Sequence, residues 1–360
     1  MKAIIKFIAA AACVGAMMPA GFSSCTDMDG DGVDSIVWQG SQNPENTSFR
    51  NPVWEPSLEA GTVVKGASMY VAISAETQWT SGLTSICPTL TSNNLMNWQR
   101  ANDSFTADGR PAWAQGRISS LSVDYARTLR INYWMFYTFD DAKAVGYAFA
   151  TSGQGPYTDK GELITAESIG SQTIRDPFFI VVSTNYYLCY TADDGVYMQR
   201  LTIQGANANS ANVRLNGTAT KIAAQGISDV AVYRRSATDV YLLFTVEGTN
   251  GTEIRYARGG NITGPFLDKS GQSVAEGSRG ELLIEGGQEM LSPENPMRVF
   301  LNSEQTHIFV AYNATEAGNS QMKSGFARKP MLVSPIELAE DGWATAVAKA
   351  QKGWTEPRFE

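Results

Sequence analysis

Five short segments of the chain look alike, and they restrict the fold more than any other feature. They are Met69–Ile73, Asn132–Tyr137, Asn185–Tyr190, Asp239–Phe244 and His307–Tyr312. Each is a run of β-branched and aromatic residues too short to be a helix. Their starts lie 63, 53, 54 and 68 residues apart. A near-regular period of that length predicts a β-propeller with one four-stranded sheet per repeat. A second repeat agrees. Gly146–Thr151 leads to Gly155-Pro156-Tyr157-Thr158-Asp159-Lys160, and Tyr256-Ala257-Arg258 leads to Gly264-Pro265-Phe266-Leu267-Asp268-Lys269. The two Gly-Pro pairs are 109 residues apart, two such periods. Proline at those points suits a sheet edge or turn and not a central strand.

Composition fits this reading. The chain has 8 Trp, 14 Tyr, 15 Phe and 33 Gly in 360 residues, the mixture of strand formers and turn formers that an all-β protein uses. Helical periodicity is weak except near Ala344–Gln351. No linker interrupts the pattern, so residues 51–360 are expected to form a single five-bladed propeller.

The N-terminus is of another kind. A short basic start, Met1–Lys6, precedes an apolar stretch, Phe7–Ala20, that is short for a membrane span. It runs into Phe22-Ser23-Ser24-Cys25. Small residues before a cysteine resemble a bacterial lipoprotein signal, with residues 1–24 removed and Cys25 lipidated; an ordinary signal cut nearby is the other reading. Either predicts export. Without residues 1–24 the chain carries 26 basic and 36 acidic residues, which argues against nucleic-acid binding. Residues 25–50 read as an acidic tether and linker. Within it, Asp27-x-Asp29-x-Asp31-Gly32 matches the first half of an EF-hand loop, but the twelfth position is Trp38 and not Glu. An acidic run directly after the lipoprotein cysteine resembles the surface-export signal of Bacteroidetes lipoproteins. Outside this region only Cys87 and Cys189 remain, both in apolar runs that suit buried thiols.

From Asn51 to Trp343 the sequence resembles glycoside hydrolase family 43. The segments that carry the resemblance are Asn51-Pro52-Val53-Trp54-Glu55-Pro56, Asn94-Leu95-Met96-Asn97-Trp98, Gly155–Gly161, Asp176-Pro177-Phe178-Phe179, Ser334-Pro335-Ile336-Glu337 and Asp341-Gly342-Trp343. The resemblance implies a five-bladed propeller acting on arabinans, xylans or related glycans with inversion. It implies three carboxylates: a base Asp in blade one, an orienting Asp in blade three and an acid Glu in blade four. Base and acid flank the scissile bond, and a neighbouring like charge keeps the acid protonated.

Carried over position by position, the set is incomplete. The blade-one base falls on Ala60, the blade-four acid on Ser228, and Asp176 alone matches, in the orienting role. Asn295 stands where the family has an axial His. The chain's single histidine, His307, starts a strand and reads as structural. No cofactor is expected; the resemblance allows an axial calcium that nothing else in the sequence supports. Glu59 and Asp229 flank the two lost positions. One residue along a strand turns a side chain to the opposite face, so both are expected to miss the axis unless a bulge re-aims them. Trp54, Trp79, Trp113 and Phe178 are candidate stacking faces for sugar rings, with core packing as the alternative. Asn295 completes the candidate sugar-binding set.

Three functions follow. The first is an exported, lipid-anchored protein that binds an oligo- or polysaccharide and hydrolyses it poorly or not at all. The second is an active inverting glycosidase of arabinan or xylan type, using Glu59 or Glu55 with Asp229 around Asp176. The third is a scaffold subunit in an outer-membrane glycan-uptake assembly.

Overall fold

The computed structural model describes residues 37–38, 48–205, 207 and 209–359. The signal segment, Cys25 and the Asp27–Asp34 run lie outside them. Among the described residues there is no α-helix, and the strands assemble into a five-bladed propeller.

Blade 1 runs outward through Thr62–Lys65, Tyr70–Ile73, Pro88–Ser92 and Trp98–Asp103. Blade 2 comprises Ile118–Tyr125, Tyr133–Phe139, Ala144–Ala150 and Thr158–Thr165. Blade 3 comprises Ile174–Val182, Asn185–Ala192, Gly195–Gln204 and Asn212–Ala224. Blade 4 comprises Ile227–Arg234, Val240–Gly248, Gly251–Gly259 and Glu281–Glu285. Blade 5 contributes Met290–Leu301, His307–Glu316 and Met331–Glu337.

All five look-alike segments occupy the second strand of their blade. That strand is covered on both faces by the neighbouring blades. Tyr133–Phe139 is buried at every position, and Val240–Gly248 at its first seven. A strand buried on both sides has no reason to alternate apolar and polar residues, which explains the unbroken runs. The cores lie between blades, and Trp134, Phe136, Phe179 and Leu188 fill one between blades 2 and 3. Each such side chain contributes roughly 1.5–3 kcal/mol of burial.

The ring closes between blades 5 and 1. Both ends of the described propeller segment take part. Val53 N–H donates to Met331 O at 2.9 Å, and the Asn51 amide bonds the backbone of Val333. Phe49–Asn51 pairs antiparallel with Gly353–Thr355. Phe359 packs its ring against Tyr70, Phe300 and Phe309. Beneath this seam Arg328 bonds Glu55 at 3.0 Å and faces Glu316, which also pairs with Lys352.

Some expectations change. Phe49 and Arg50 belong to the closing strand, and the backbone of Val37–Trp38 pairs with Trp98 and Gln99, so the propeller takes up residues assigned to the linker. Ala344–Gln351 is not helical; Ala348–Lys349 lies parallel to Glu281–Glu285. Trp54 and Trp79 are not sugar platforms. They are 0% and 2% exposed and pack on each other at 5.5 Å between ring centroids. The half-buried His307 sits at the start of its strand, with Nδ1 3.0 Å from the Thr306 hydroxyl.

Candidate functional site

The innermost strands of blades 3, 4 and 5 share one local device. Each breaks register with its neighbour next to a residue in the left-handed region. Asp176 has φ 53°, Asp229 φ 46° and Asn295 φ 48°, beside irregularities at Arg175/Phe178, Ser228/Ala231 and Glu294/Arg298. Ala60, just before the first strand of blade 1, has φ 43°. Bulges of this kind bend a strand and re-aim a side chain. Left-handed backbone costs Asp and Asn little, because their short polar groups bond locally. The result is two tiers at one end of the axis. Ala60, Asp176, Asp229 and Asn295 line the inner pocket together with Thr62, Ser120 and Ser122. Glu59, Arg175, Ser228 and Glu294 precede them in sequence.

For Asp229 the bulge is the exception to strand alternation that the sequence reading allowed, and it brings the side chain to the axis. Its carboxylate shares the pocket with Asp176 and accepts from the Ser228 hydroxyl at 3.0 Å. Burial and the Asp176 charge push the Asp229 carboxyl up to about 7. Asp176 is raised by burial, opposed by Arg175, whose Nε lies 3.2 Å away. Blade 1 supplies no carboxylate here. Ala60 lines the pocket, but Glu59 is drawn into an ion pair with Arg117 at 3.0 Å, and Glu55 is buried against Arg328.

The inner pocket has a filled floor. Arg298 reaches across the axis, donating to Val63 O of blade 1 and Val123 O of blade 2, and pairs with Asp124 at 3.4 Å. Its guanidinium lies 5.2 Å from the Phe178 ring centroid, so that ring, though at the pocket wall, has a cation on its face. The Asn295 amide is held by Gly61 O and Asn313 Oδ1, and its N–H by the Thr245 hydroxyl. Trp113 is half-buried and lies on blade 2, donating to the Tyr137 hydroxyl at 3.0 Å. Only glycine fits beneath it: a Cβ on Gly146 would sit 2.3 Å from the indole.

The open volume lies to one side, over blades 3 and 4 with an edge from blade 5. It is a cleft of about 640 Å³, and its lining includes Arg175, Asp193, Ser228, Asp229, Glu247 and Glu294. Asp229 therefore faces both the inner pocket and this cleft. The Thr252 hydroxyl on its wall has no hydrogen-bond partner among the described residues. Glu294 was not singled out by the sequence. Burial raises its carboxyl, Lys329 at 2.8 Å pulls it down, and Asp229 and Glu59 add to the rise. Among the described residues no group of three or more His, Cys, Asp or Glu side chains is arranged to hold a metal ion.

The sequence profile described as Glycosyl hydrolases family 43 matches residues 49–344. The chain belongs to that family. Within family 43, it is 25% identical over 281 residues to the extracellular endo-α-(1→5)-L-arabinanase 1 of Bacillus subtilis (strain 168), covering 72% of this chain and 82% of that one. The fold matches the α-L-arabinanase of Cellvibrio cellulosa solved with arabinohexaose, with TM-score 0.62, 15% identity, and 80% and 94% of the two chains covered. It also matches an exo-1,5-α-L-arabinanase from a bovine ruminal metagenomic library, with TM-score 0.59, 15% identity, and 86% and 99% covered. The five-bladed architecture expected from the repeats is thus that of family 43 arabinanases.

Proposed function

We propose that this family 43 chain binds a neutral, arabinan-type oligosaccharide in the cleft over blades 3 and 4, and lacks the blade-one base on which hydrolysis by its relatives' arrangement depends. One observation carries the second half: Ala60 occupies the pocket position that the family resemblance gives to the base, while the acid next to it in sequence, Glu59, is held by Arg117. A methyl group accepts no proton from water, and general base catalysis is typically worth ~10²–10⁴-fold in rate. The first half is supported by the polar lining of the cleft. Carboxylates accept strong hydrogen bonds from sugar hydroxyls. The relatives include arabinanases, one of them solved with arabinohexaose, and a xylan β-1,4-xylosidase.

Isothermal titration with 1,5-α-L-arabinohexaose, linear arabinan and xylo-oligosaccharides tests this. Binding of the arabinan ligands is expected. No affinity for any glycan, with co-purification of a protein partner, would instead favour the scaffold role.

Export follows the same reading. The apolar N-terminus and Cys25 support a lipid-anchored, surface-facing protein, and one relative is named as extracellular. Labelled palmitate should enter the native chain and not the Cys25→Ser variant; equal labelling of the two would reject the anchor.

A further inference from the structure

We infer that Arg175 and Glu247 set the specificity of the cleft, holding one neutral sugar ring edge-on between blades 3 and 4. The inference rests on the proposed glycan binding. Two cross-strand pairs face the cleft. On blade 3 Arg175 lies directly opposite Thr191, and on blade 4 Glu247 lies directly opposite Thr252. Residues opposite one another in an antiparallel pair share a face, and all four side chains belong to the cleft lining. Each pair joins an exposed charge to a hydroxyl shut off from bulk water. Neither hydroxyl has a hydrogen-bond partner among the described residues, and Thr191 is only 2% exposed. A buried hydroxyl left unbonded is unfavourable, and two of them on facing walls mark a place that a polar ligand completes. The charges are also in part unspent. Arg175 engages Asp176 through Nε, and among the described residues its two terminal nitrogens meet no acceptor. The Glu247 carboxylate meets no donor there.

The two walls differ in what they can bond. A guanidinium only donates and a carboxylate only accepts. In a sugar the hydroxyls do both, while the ring and bridging oxygens only accept. Glu247 can therefore hold hydroxyls alone, and the acceptor-only oxygens must turn towards Arg175, the single cation among the described residues of the lining. The reversed ring would set lone pairs against the carboxylate. No aromatic ring belongs to the described lining, so hydrogen bonds and not stacking carry the selection. An acidic sugar is disfavoured for the same reason. Its carboxylate would enter beside Asp193, Glu247 and Glu294, with Arg175 already shared with Asp176.

Calorimetric titration of the full-length protein tests this with 1,5-α-L-arabinohexaose and, as the acidic counterpart, hexagalacturonic acid. The chains compared are the native one, Arg175→Met, Arg175→Lys and Glu247→Gln, each checked by thermal melting. Met keeps the aliphatic stem without the donors, Lys returns one cationic donor, and Gln keeps the shape of Glu247 without its charge. Native protein is expected to bind arabinohexaose and to bind the galacturonate at least about tenfold more weakly. Arg175→Met and Glu247→Gln should each weaken arabinohexaose binding by about tenfold or more, as loss of a hydrogen bond to a charged group does. Arg175→Lys should recover part of that loss, and Glu247→Gln should narrow the gap to the galacturonate. Arabinohexaose affinity within about twofold of native in a folded Arg175→Met, or in Glu247→Gln, overturns the inference and leaves the proposed binding standing. Glu247 is exposed and unpaired, so its variant decides alone if Arg175→Met does not fold. Tighter binding of the galacturonate by the native chain also overturns it. No affinity for either ligand rejects this inference together with the proposed binding.

Discussion

Arg328 and Glu55 meet at 3.0 Å with both side chains only 2% exposed, and they join the N-terminal segment to the loop that enters the last strand of blade 5. Burial raises the Glu55 carboxyl, while Arg328 and Lys352 pull it down. Removing one partner of a buried pair strands the other charge, typically at a cost of about 3–5 kcal/mol. Arg328→Ala is expected to lower the urea midpoint sharply. Glu55→Gln combined with Arg328→Met is expected to be milder than Arg328→Ala, because no bare charge remains. Equal losses in the two would show that packing and not charge dominates this seam.

The Asp229 carboxyl makes stability depend on pH in an unusual direction. Its folded value of about 7 lies above the ordinary 3.8, so the native state holds a proton that the unfolded chain has released. Stability should therefore fall as pH rises from about 4 towards 7, by an amount on the order of 2–4 kcal/mol. Asp229→Asn removes that penalty. Thermal melts should show the variant gaining on the native chain at pH 8 and losing that advantage at pH 5. A pH-independent difference would mean that Asp229 is ionised in the fold.

Placing an acid in blade one tests the proposal that the base is missing there. Ala60→Asp places a carboxylate on the pocket wall at a backbone angle that Asp tolerates better than Ala. Arabinohexaose hydrolysis is expected to rise by 10²-fold or more. No gain would show that the pocket does not admit the scissile bond at this depth.

Trp54 and Trp113 separate packing from recognition. Trp54→Ala should cost about 3–5 kcal/mol of stability, as large aromatic truncations in cores do, and leave Kd for arabinohexaose unchanged. Trp113→Phe loses the bond to Tyr137 yet keeps a ring on Gly146, and should change stability by about 1 kcal/mol. A tenfold loss of affinity in Trp54→Phe would restore the stacking role that its burial excludes.

The sequence carried the blades well and the site unevenly, for identifiable reasons. The second strands are legible because burial on both faces forces an unbroken apolar composition, as in Val240–Phe244. Asp176 is legible because Asp-Pro at a strand mouth is distinctive. Asp229 is not settled by strand alternation, since the bulge that re-aims it has no residue signature in Ser228-Asp229-Val230. Glu294 and Arg298 are missed because their meaning comes from residues far away in sequence: Lys329, in a later loop of the same blade, beside one, and Val63 and Val123, of blades 1 and 2, beside the other. Trp54 is misplaced because a core tryptophan and a sugar platform look identical in one dimension.

The antiparallel pairing of Phe49–Asn51 with Gly353–Thr355 places the two ends of the propeller side by side. Where the polypeptide starts is therefore arbitrary as far as the blades are concerned. A circularly permuted version, with residues 359 and 48 joined by a glycine linker and new termini cut in the Arg235–Asp239 turn, should assemble the same architecture. The seam would then be covalent, and the weak point of the circle would move to blade 4.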